Sequence, residues 1–203
     1  MFNDNISIRP LTPDMADDFF DFFDSRAFTD DSPYSPCYCC IWHIPDRGLW
    51  EQEWRNAESQ GKSFRQFLRG QAETLLKDNT VRGYLAFDGN TAVGWVNSND
   101  KNNYVLKWLA GGNVYPDPDL KIKSVVCFEI APEYRRRGIA SALLGRVCED
   151  AAKDGYDCVE GYAEIFGQPN RFDYAGPVRL YEKCGFSVYE ETGKYRIMRK
   201  YLK

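Results

Sequence analysis

The chain has 203 residues, 26 Lys and Arg against 30 Asp and Glu, a net charge of −4, and 15% aromatic residues. An acidic chain of this length suits a single domain, residues 1–203, and is not expected to bind nucleic acid through its overall charge. It contains no run of about 18 apolar residues, so no membrane span is predicted. The start, MFNDNISIRP, lacks the basic and apolar parts of a signal peptide, which predicts a cytoplasmic protein.

The first half of the chain is predicted to be mostly helical. ISIRPL predicts a strand, and Thr12 followed by a proline predicts the start of a helix. Residues 30–48 are rich in Pro, Cys and aromatic side chains, which is typical of an irregular segment. LWEQEWRNAESQ and SFRQFLRGQAETLLKD then have helical periodicity, and the second opens with a capping box. We therefore expect an α-rich insertion over residues 30–78.

The second half alternates strands with helices. VRGYLAF and TAVGWVNS flank Asp88-Gly89, a strong hairpin signal. IKSVVCFEIAP has the apolar continuity of a buried strand, and apolar residues then recur at helical spacing from Ile139 to Ala151. DCVEGYAE predicts a strand, PVRLYEKC a short helix, and two closing strands follow. Strands that alternate with helices only in this half predict a mixed α+β sheet.

The stretch EYRRRGIAS places Arg135, Arg136 and Arg137 just before this helix. A helix N-terminus carries partial positive charge, so cations there are unfavourable unless an anion binds. Gly138 would let the backbone approach a phosphate, and Ala140 would keep the turn uncluttered. The pattern therefore predicts an anion-binding turn; a solvated basic patch is the alternative.

Two motifs point to a known family. CFEIAPEYRRRGIASALL resembles the central motif of the GNAT N-acetyltransferase superfamily, where a strand and a proline precede Arg/Gln-x-x-Gly-x-Gly/Ala. LYEKCGF resembles its C-terminal motif, and the Cys-x-Cys-x-x-Trp segment at 37–42 with VEGY resembles a bacterial subgroup. The resemblance implies a mixed, mostly antiparallel central sheet flanked by helices, with the insertion after the first helix.

The resemblance also implies acetyl-CoA as cofactor. Backbone N–H groups after the arginines would hold its pyrophosphate, and an arginine would reach the phosphate on its ribose. A bulge on the preceding strand would free backbone groups to pair with the pantetheine arm, and Tyr174 stands where the family often has Asn. The cofactor-binding residues implied in this way are Phe128, Ile130, Arg135, Arg136, Arg137, Gly138, Ile139, Ala140, Ser141 and Tyr174.

The implied reaction is direct attack of an amine on the thioester. Tyr181 occupies the family position of the acid that protonates the departing thiolate. The position of the family's usual glutamate base is Ser124 here, so we predict Glu129 as the base, pointing opposite to Phe128 and Ile130. Glu160, Glu164 or a water chain are the alternatives.

The segment PYSPCYCCIWHIP is predicted to cover the acceptor side, with Tyr38 and Trp42 as substrate-binding residues. The odd number of cysteines, seven, favours reduced thiols over a disulfide framework. A zinc site is the sharpest competing interpretation of the cluster of Cys and His, but its spacing is too compressed, so no metal is predicted. The segment could equally form a redox-responsive pair, pack against the core or make a homodimer contact.

Together these features predict an acetyl-CoA-dependent N-acetyltransferase that acetylates a primary amine of a small molecule or peptide. The alternatives are a non-catalytic acyl-CoA-binding module and a zinc-dependent interaction protein. Tyr181 together with the intact turn favours the enzyme. Neither a nucleic acid nor a membrane is expected as a partner.

Overall fold

The computed structural model describes residues 5–165 and 173–202. Within this part, seven strands form one sheet in the order β1-β2-β3-β4-β5-β7-β6. The strands are β1 (Ile6–Pro10), β2 (Gly83–Asp88), β3 (Thr91–Asp100), β4 (Ile122–Ile130), β5 (Cys158–Glu164), β6 (Ser187–Thr192) and β7 (Tyr195–Tyr201). All neighbouring strands are antiparallel except β4 and β5. The predicted mixed, mostly antiparallel sheet is therefore confirmed.

Helices cover both faces of this sheet. They are α1 (Ala16–Ser25), α2 (Arg47–Ser59), α3 (Phe64–Lys77), α4 (Ile139–Lys153) and α5 (Val178–Lys183). Four phenylalanines of α1 pack with buried residues of α3 on one face, around the fully buried Trp95. The apolar stripe of α4 packs with Tyr181 of α5 on the other face. No helix among the described residues has the length and apolarity needed to cross a membrane.

Local sequence signals explain most element boundaries. Asp88 ends β2 and Thr91 begins β3, so the predicted hairpin is confirmed. Ser63 and Gln66 form the predicted capping box, each side chain bonding the other's backbone N–H. The helical stretch begins directly after Thr12, as predicted, because Thr12 is the N-cap residue of a 3₁₀ turn, Pro13–Met15, that leads into α1 at Ala16. The Thr12 side chain makes no capping hydrogen bond.

The strands β4 and β5 separate part-way along their length. They pair only from Ile122 to Val125 on β4, and the later part of β4 has no partner strand on that side in the described residues. The register against β3 shifts between Val125 and Cys127, leaving Val126 as an extra residue, which is a β-bulge. Beside the last residues of β4, Phe128 to Ile130, lies a cavity that also reaches Ala140 in the first turn of α4.

Candidate active site

The turn before α4 has an unusual backbone. Arg136 and Gly138 adopt positive φ angles of 62° and 87°, and the helix begins at Ile139. Its first intrahelical bond runs from Ala142 N–H to the Gly138 carbonyl at 3.0 Å. The N–H groups before Ala142 have no acceptor within the helix and point to where an anion would lie.

A cleft of about 500 Å³ lies along this turn. It brings together most of the predicted cofactor-binding residues and adds others from α5. The lining residues are Ile130, Tyr134, Arg135, Arg136, Gly138, Ile139, Ala140, Ser141, Pro177, Arg179, Leu180 and Lys183. Sequence reasoning missed Arg179 and Lys183. Their spacing of four residues puts them on one face of α5, and this spacing was the signal that could have found them.

The three arginines point in different directions. Arg136 is exposed in the cleft, whereas the guanidinium of Arg137 lies 4.9 Å from the ring centre of Tyr134. Arg135 turns inward. Its Nε donates to the Ile130 carbonyl at 3.0 Å, and its terminal nitrogens contact carboxylates of Asp30 and Glu129. The basic side chains that face the outer cleft are therefore Arg136 and the two residues of α5.

The end of β4 divides its side chains between the two faces of the sheet. Phe128 and Ile130 pack against α4, whereas Glu129 faces the α1 side, as strand alternation predicts. The backbone N–H of Phe128 donates to the Tyr174 carbonyl at 2.6 Å. This N–H, which was predicted to bond the pantetheine arm, is therefore already bonded within the protein. The centre of the Tyr174 ring lies 5.0 Å from that of Tyr34.

Glu129 lies on the wall shared by two cavities. The first, about 120 Å³, adjoins the turn through Arg135 and Ala140. The second, about 530 Å³, extends toward the insertion. Burial raises the pKa of the Glu129 carboxyl to about 7, partly offset by the nearby Arg135 guanidinium. A carboxyl of this pKa can accept and release protons near neutral pH.

We call the larger cavity the aromatic cavity. Most of its wall comes from residues 23–68, which include the end of α1, the irregular segment, α2 and the start of α3. Its lining residues are Phe23, Phe28, Tyr34, Pro36, Cys37, Tyr38, Cys39, Cys40, Ile41, Trp42, Ile44, Arg47, Trp50, Phe64, Leu68, Trp108, Cys127, Glu129 and Tyr174. Both predicted substrate-binding residues are present, in different settings. Tyr38 is only 1% exposed and its hydroxyl donates to Asp24, whereas Trp42 is half-buried beside Tyr174.

Three thiols lie close together in this wall. Cys39 hydrogen-bonds both Cys37 and Cys127, and its sulfur accepts from the Trp95 indole at 3.3 Å. The hydrogen bond to Cys39 and burial raise the pKa of Cys37, and the hydrogen bond to Cys127 and burial raise the pKa of Cys39, so both thiols stay protonated at neutral pH. Among residues 5–165 and 173–202, no group of Cys, His, Asp and Glu has the arrangement of a metal site.

Tyr181 lies deeper than the predicted acid role requires. The side chain is fully buried, and its hydroxyl donates to the Ala175 carbonyl at 2.7 Å. A Cβ at Gly161 would lie 2.3 Å from the ring, so the glycine of VEGY makes room for it. The structure does not bring this hydroxyl into the wall of either cavity beside Glu129.

The two alternative bases pair with cations away from the cleft. Glu160 is fully buried between Lys101 at 3.0 Å and Arg199 at 2.5 Å. Glu164 pairs with Lys194 at 2.7 Å. Neither lines the cavities that contain Glu129. Their ion pairs explain their presence without a catalytic role.

One more carboxyl, which sequence reasoning missed, lines the smaller cavity. Asp173 accepts backbone hydrogen bonds from Ala175 and Gly176, and burial raises its pKa to about 6. It lies between β5 and α5. Its place beside Glu129 depends on the hydrogen bond from the Phe128 N–H to the carbonyl of the next residue, Tyr174, a contact with β4 that no local motif encodes.

Comparisons with known proteins agree with this geometry. The model of the acetyltransferase (GNAT) family matches residues 34–186. No curated protein matches the chain by sequence. The PaiA N-acetyltransferase from Thermoplasma acidophilum, solved with coenzyme A, is 16% identical, with 97% of this chain and 98% of that chain covered and a TM-score of 0.53. Ribosomal-protein-S5-alanine acetyltransferase from Vibrio fischeri is 12% identical, with 99% and 95% covered and a TM-score of 0.57.

A third similar structure is the putative acetyltransferase YncA from Salmonella typhimurium, solved with acetyl-CoA. It is 11% identical, with 98% of this chain and 95% of that chain covered and a TM-score of 0.52. At these identities the structures show a shared fold. The family model covers most of the sequence. The chain therefore belongs to the GNAT family of acetyltransferases.

Proposed function

We propose that this acetyltransferase moves the acetyl group of acetyl-CoA to the amine of a small molecule with an apolar, aromatic body, and that Glu129 is the general base. The acetyltransferase activity and its acetyl-CoA cofactor follow from the family. The observation that carries the rest is the position of Glu129, on the wall common to the cavity beside the turn and the aromatic cavity.

The residues of the turn fit the cofactor. The N–H groups at the start of α4 would hold the pyrophosphate, because they supply donors and a favourable dipole. Arg136, Arg179 and Lys183 would neutralise further phosphate charge at the mouth of the cleft. When bound, acetyl-CoA supplies the activated acetyl group. Its thioester end would then enter the smaller cavity, next to Glu129.

The aromatic cavity is proposed as the acceptor site, covered by the insertion over residues 30–78. About 530 Å³ is the size of a typical small-molecule site. Among its lining residues Glu129 is the one carboxylate and Arg47 the one cation, so it suits an amine with a single cationic group. A polyamine would bring several positive charges into a largely apolar enclosure, which costs desolvation energy.

The proposed chemistry divides proton transfer between two residues. Glu129 accepts a proton from the acceptor ammonium or from the attacking amine, since only a neutral amine has a free electron pair. Tyr181 donates its hydroxyl proton toward the departing thiolate. For this, the hydroxyl, which lines neither cavity, would have to leave the Ala175 carbonyl and turn toward the thiolate, because it has one proton to give.

The acceptor class is tested by measuring coenzyme A release with a panel of amines. Arylalkylamines and aromatic amines are expected to give the highest kcat/KM, with polyamines, amino acids and peptides well below them. The acceptor proposal is contradicted if a polyamine or a peptide is the best substrate. Coenzyme A affinity measured in parallel confirms that the preparation is competent to bind the cofactor.

Gly138→Glu is expected to abolish measurable coenzyme A binding. The change forces a non-glycine residue into a left-handed backbone, φ 87°, and places a negative charge where phosphates would lie. Calorimetry measures the affinity. Gly145→Glu, on the same helix with open space around the new Cβ, adds the same charge and should bind normally. Equal affinities in the two variants would remove the turn from the cofactor site.

Trp42→Ala is expected to raise the KM of the acceptor about tenfold or more, since lost apolar contact of this kind is worth about 1–3 kcal/mol. Coenzyme A affinity should stay unchanged. Trp54→Ala is the control of the same size: Trp54 packs on Phe67 and on the lining residue Phe64 but does not itself line the cavity. If both variants lose stability equally and keep the wild-type KM, the segment serves core packing instead.

A further inference from the structure

Arg135 occupies the first position of the anion-binding motif, yet its charge is directed toward the base. One terminal nitrogen lies 2.6 Å from Asp30 and the other 3.3 Å from Glu129, while Nε donates to the Ile130 carbonyl at 3.0 Å. All of these groups are largely buried: the exposed fractions are 24% for the Arg135 side chain, 17% for Asp30 and 11% for Glu129. A planar guanidinium can satisfy such a set of acceptors because its donors are fixed in a fork.

We propose that Arg135 is a positioning residue that holds the Glu129 carboxylate between the two cavities, and that Asp30 is its counter-charge. This inference rests on the proposed function, in which Glu129 is the base. Asp30 is a second carboxylate on the same guanidinium, so Glu129 is not the sole partner of the Arg135 charge. If Glu129 were the only carboxylate beside Arg135, its pKa would be lower and it would be a weaker proton acceptor.

Among the charged groups around Glu129, Arg135 and Asp30 have the largest effects on its pKa. The smaller cavity also holds Tyr34, Tyr174 and Asp173, and the aromatic-cavity side holds the protonated thiols of Cys37 and Cys127. Of the charged groups, Arg135 lowers the pKa of Glu129 and Asp30 raises it, on top of the larger effect of burial. The two neighbours therefore act on the base with opposite sign.

The arrangement also ties three parts of the site together. Asp30 follows α1 at the start of the irregular segment, Arg135 begins the turn, and Ile130 ends β4. A hydrogen bond that spans 105 residues of sequence joins Asp30 to Arg135. The contacts of Arg135 therefore connect the turn to Glu129 and to the start of the irregular segment.

The test compares Asp30→Asn with Arg135→Gln by NMR titration of the Glu129 side-chain carboxyl, assigned by its loss in Glu129→Gln. Removing the Arg135 charge, which lies 3.3 Å from Glu129, is expected to shift the pKa of Glu129 by about one unit or more. Asp30→Asn is expected to lower the titration midpoint, and Arg135→Gln to raise it. Arg135→Lys keeps the positive charge, so its titration midpoint should lie close to the wild-type value. The acid limb of kcat should move in the same directions.

Asp31→Asn is the matched control, because it removes one negative charge from the exposed neighbour of Asp30 and should leave the midpoint in place. The inference would be overturned if neither Asp30→Asn nor Arg135→Gln moved the Glu129 midpoint, or if both moved it in the same direction. If Arg135→Gln does not fold, the Asp30→Asn shift decides alone. Full activity of Glu129→Gln would instead refute the proposed function, and the NMR midpoints would still report on Arg135 and Asp30.

Discussion

Glu129→Gln is expected to lower kcat by about 10²–10⁴-fold, the usual contribution of a positioned general base. Glutamine keeps the size of the side chain and removes its ability to take a proton. In the wild type, kcat should rise with pH through about 7, the pKa to which burial raises the Glu129 carboxyl. That dependence should disappear in the variant, while the limb due to the amine itself remains. Steady-state kinetics over a pH series measures both effects.

Two controls separate a lost base from lost structure. Glu133→Gln removes an exposed carboxylate outside the cavities and should keep the wild-type rate. The folded-state pKa of Glu129 lies above its usual value, so ionising it costs stability as pH rises through that pKa. The glutamine variant escapes this cost and should melt no lower than the wild type at mildly alkaline pH. A rate close to wild type in a folded variant would exclude Glu129 as the base.

Tyr181→Phe is expected to lower kcat by about 10²–10⁴-fold with coenzyme A affinity unchanged, if the phenol protonates the thiolate as proposed. The variant also leaves the Ala175 carbonyl without its donor, at a cost in stability of about 1 kcal/mol. The ring itself stays, so its packing on Phe128 and Phe186 is retained. Stopped assays of coenzyme A release measure the rate.

Tyr84→Phe is a matched control for this substitution. Its hydroxyl donates to Asp150 at 3.2 Å, away from both cavities, so the variant loses a phenol hydrogen bond without touching the proposed chemistry. Both variants should lose similar stability, and only Tyr181→Phe should lose rate. If the two behave alike in rate as well, Tyr181 is an anchor for the chain at Ala175 and the acid is another group.

Much of the fold was predictable because its signals are local. The hairpin at Asp88, the capping box at Ser63 and the periodicity of α4 each depend on residues within a few positions of one another. The same holds for the turn at Gly138, whose sequence supplied both the family motif and the physical reason for an anion. The helix start after Thr12 is also local, although its first three residues form a 3₁₀ turn.

By itself, the sequence determined the order of the elements, the family, the turn that starts α4 and the side of β4 on which Glu129 lies, since these follow from spacing along the chain. Only the tertiary structure decided what surrounds each functional group. Asp30 meets Arg135 across 105 residues, Tyr181 is enclosed by β5 and the Ala175 carbonyl, and Glu129 stands between two cavities built by distant segments. The partners and burial that set a group's charge and reach come from packing between elements, which no local pattern of residues encodes.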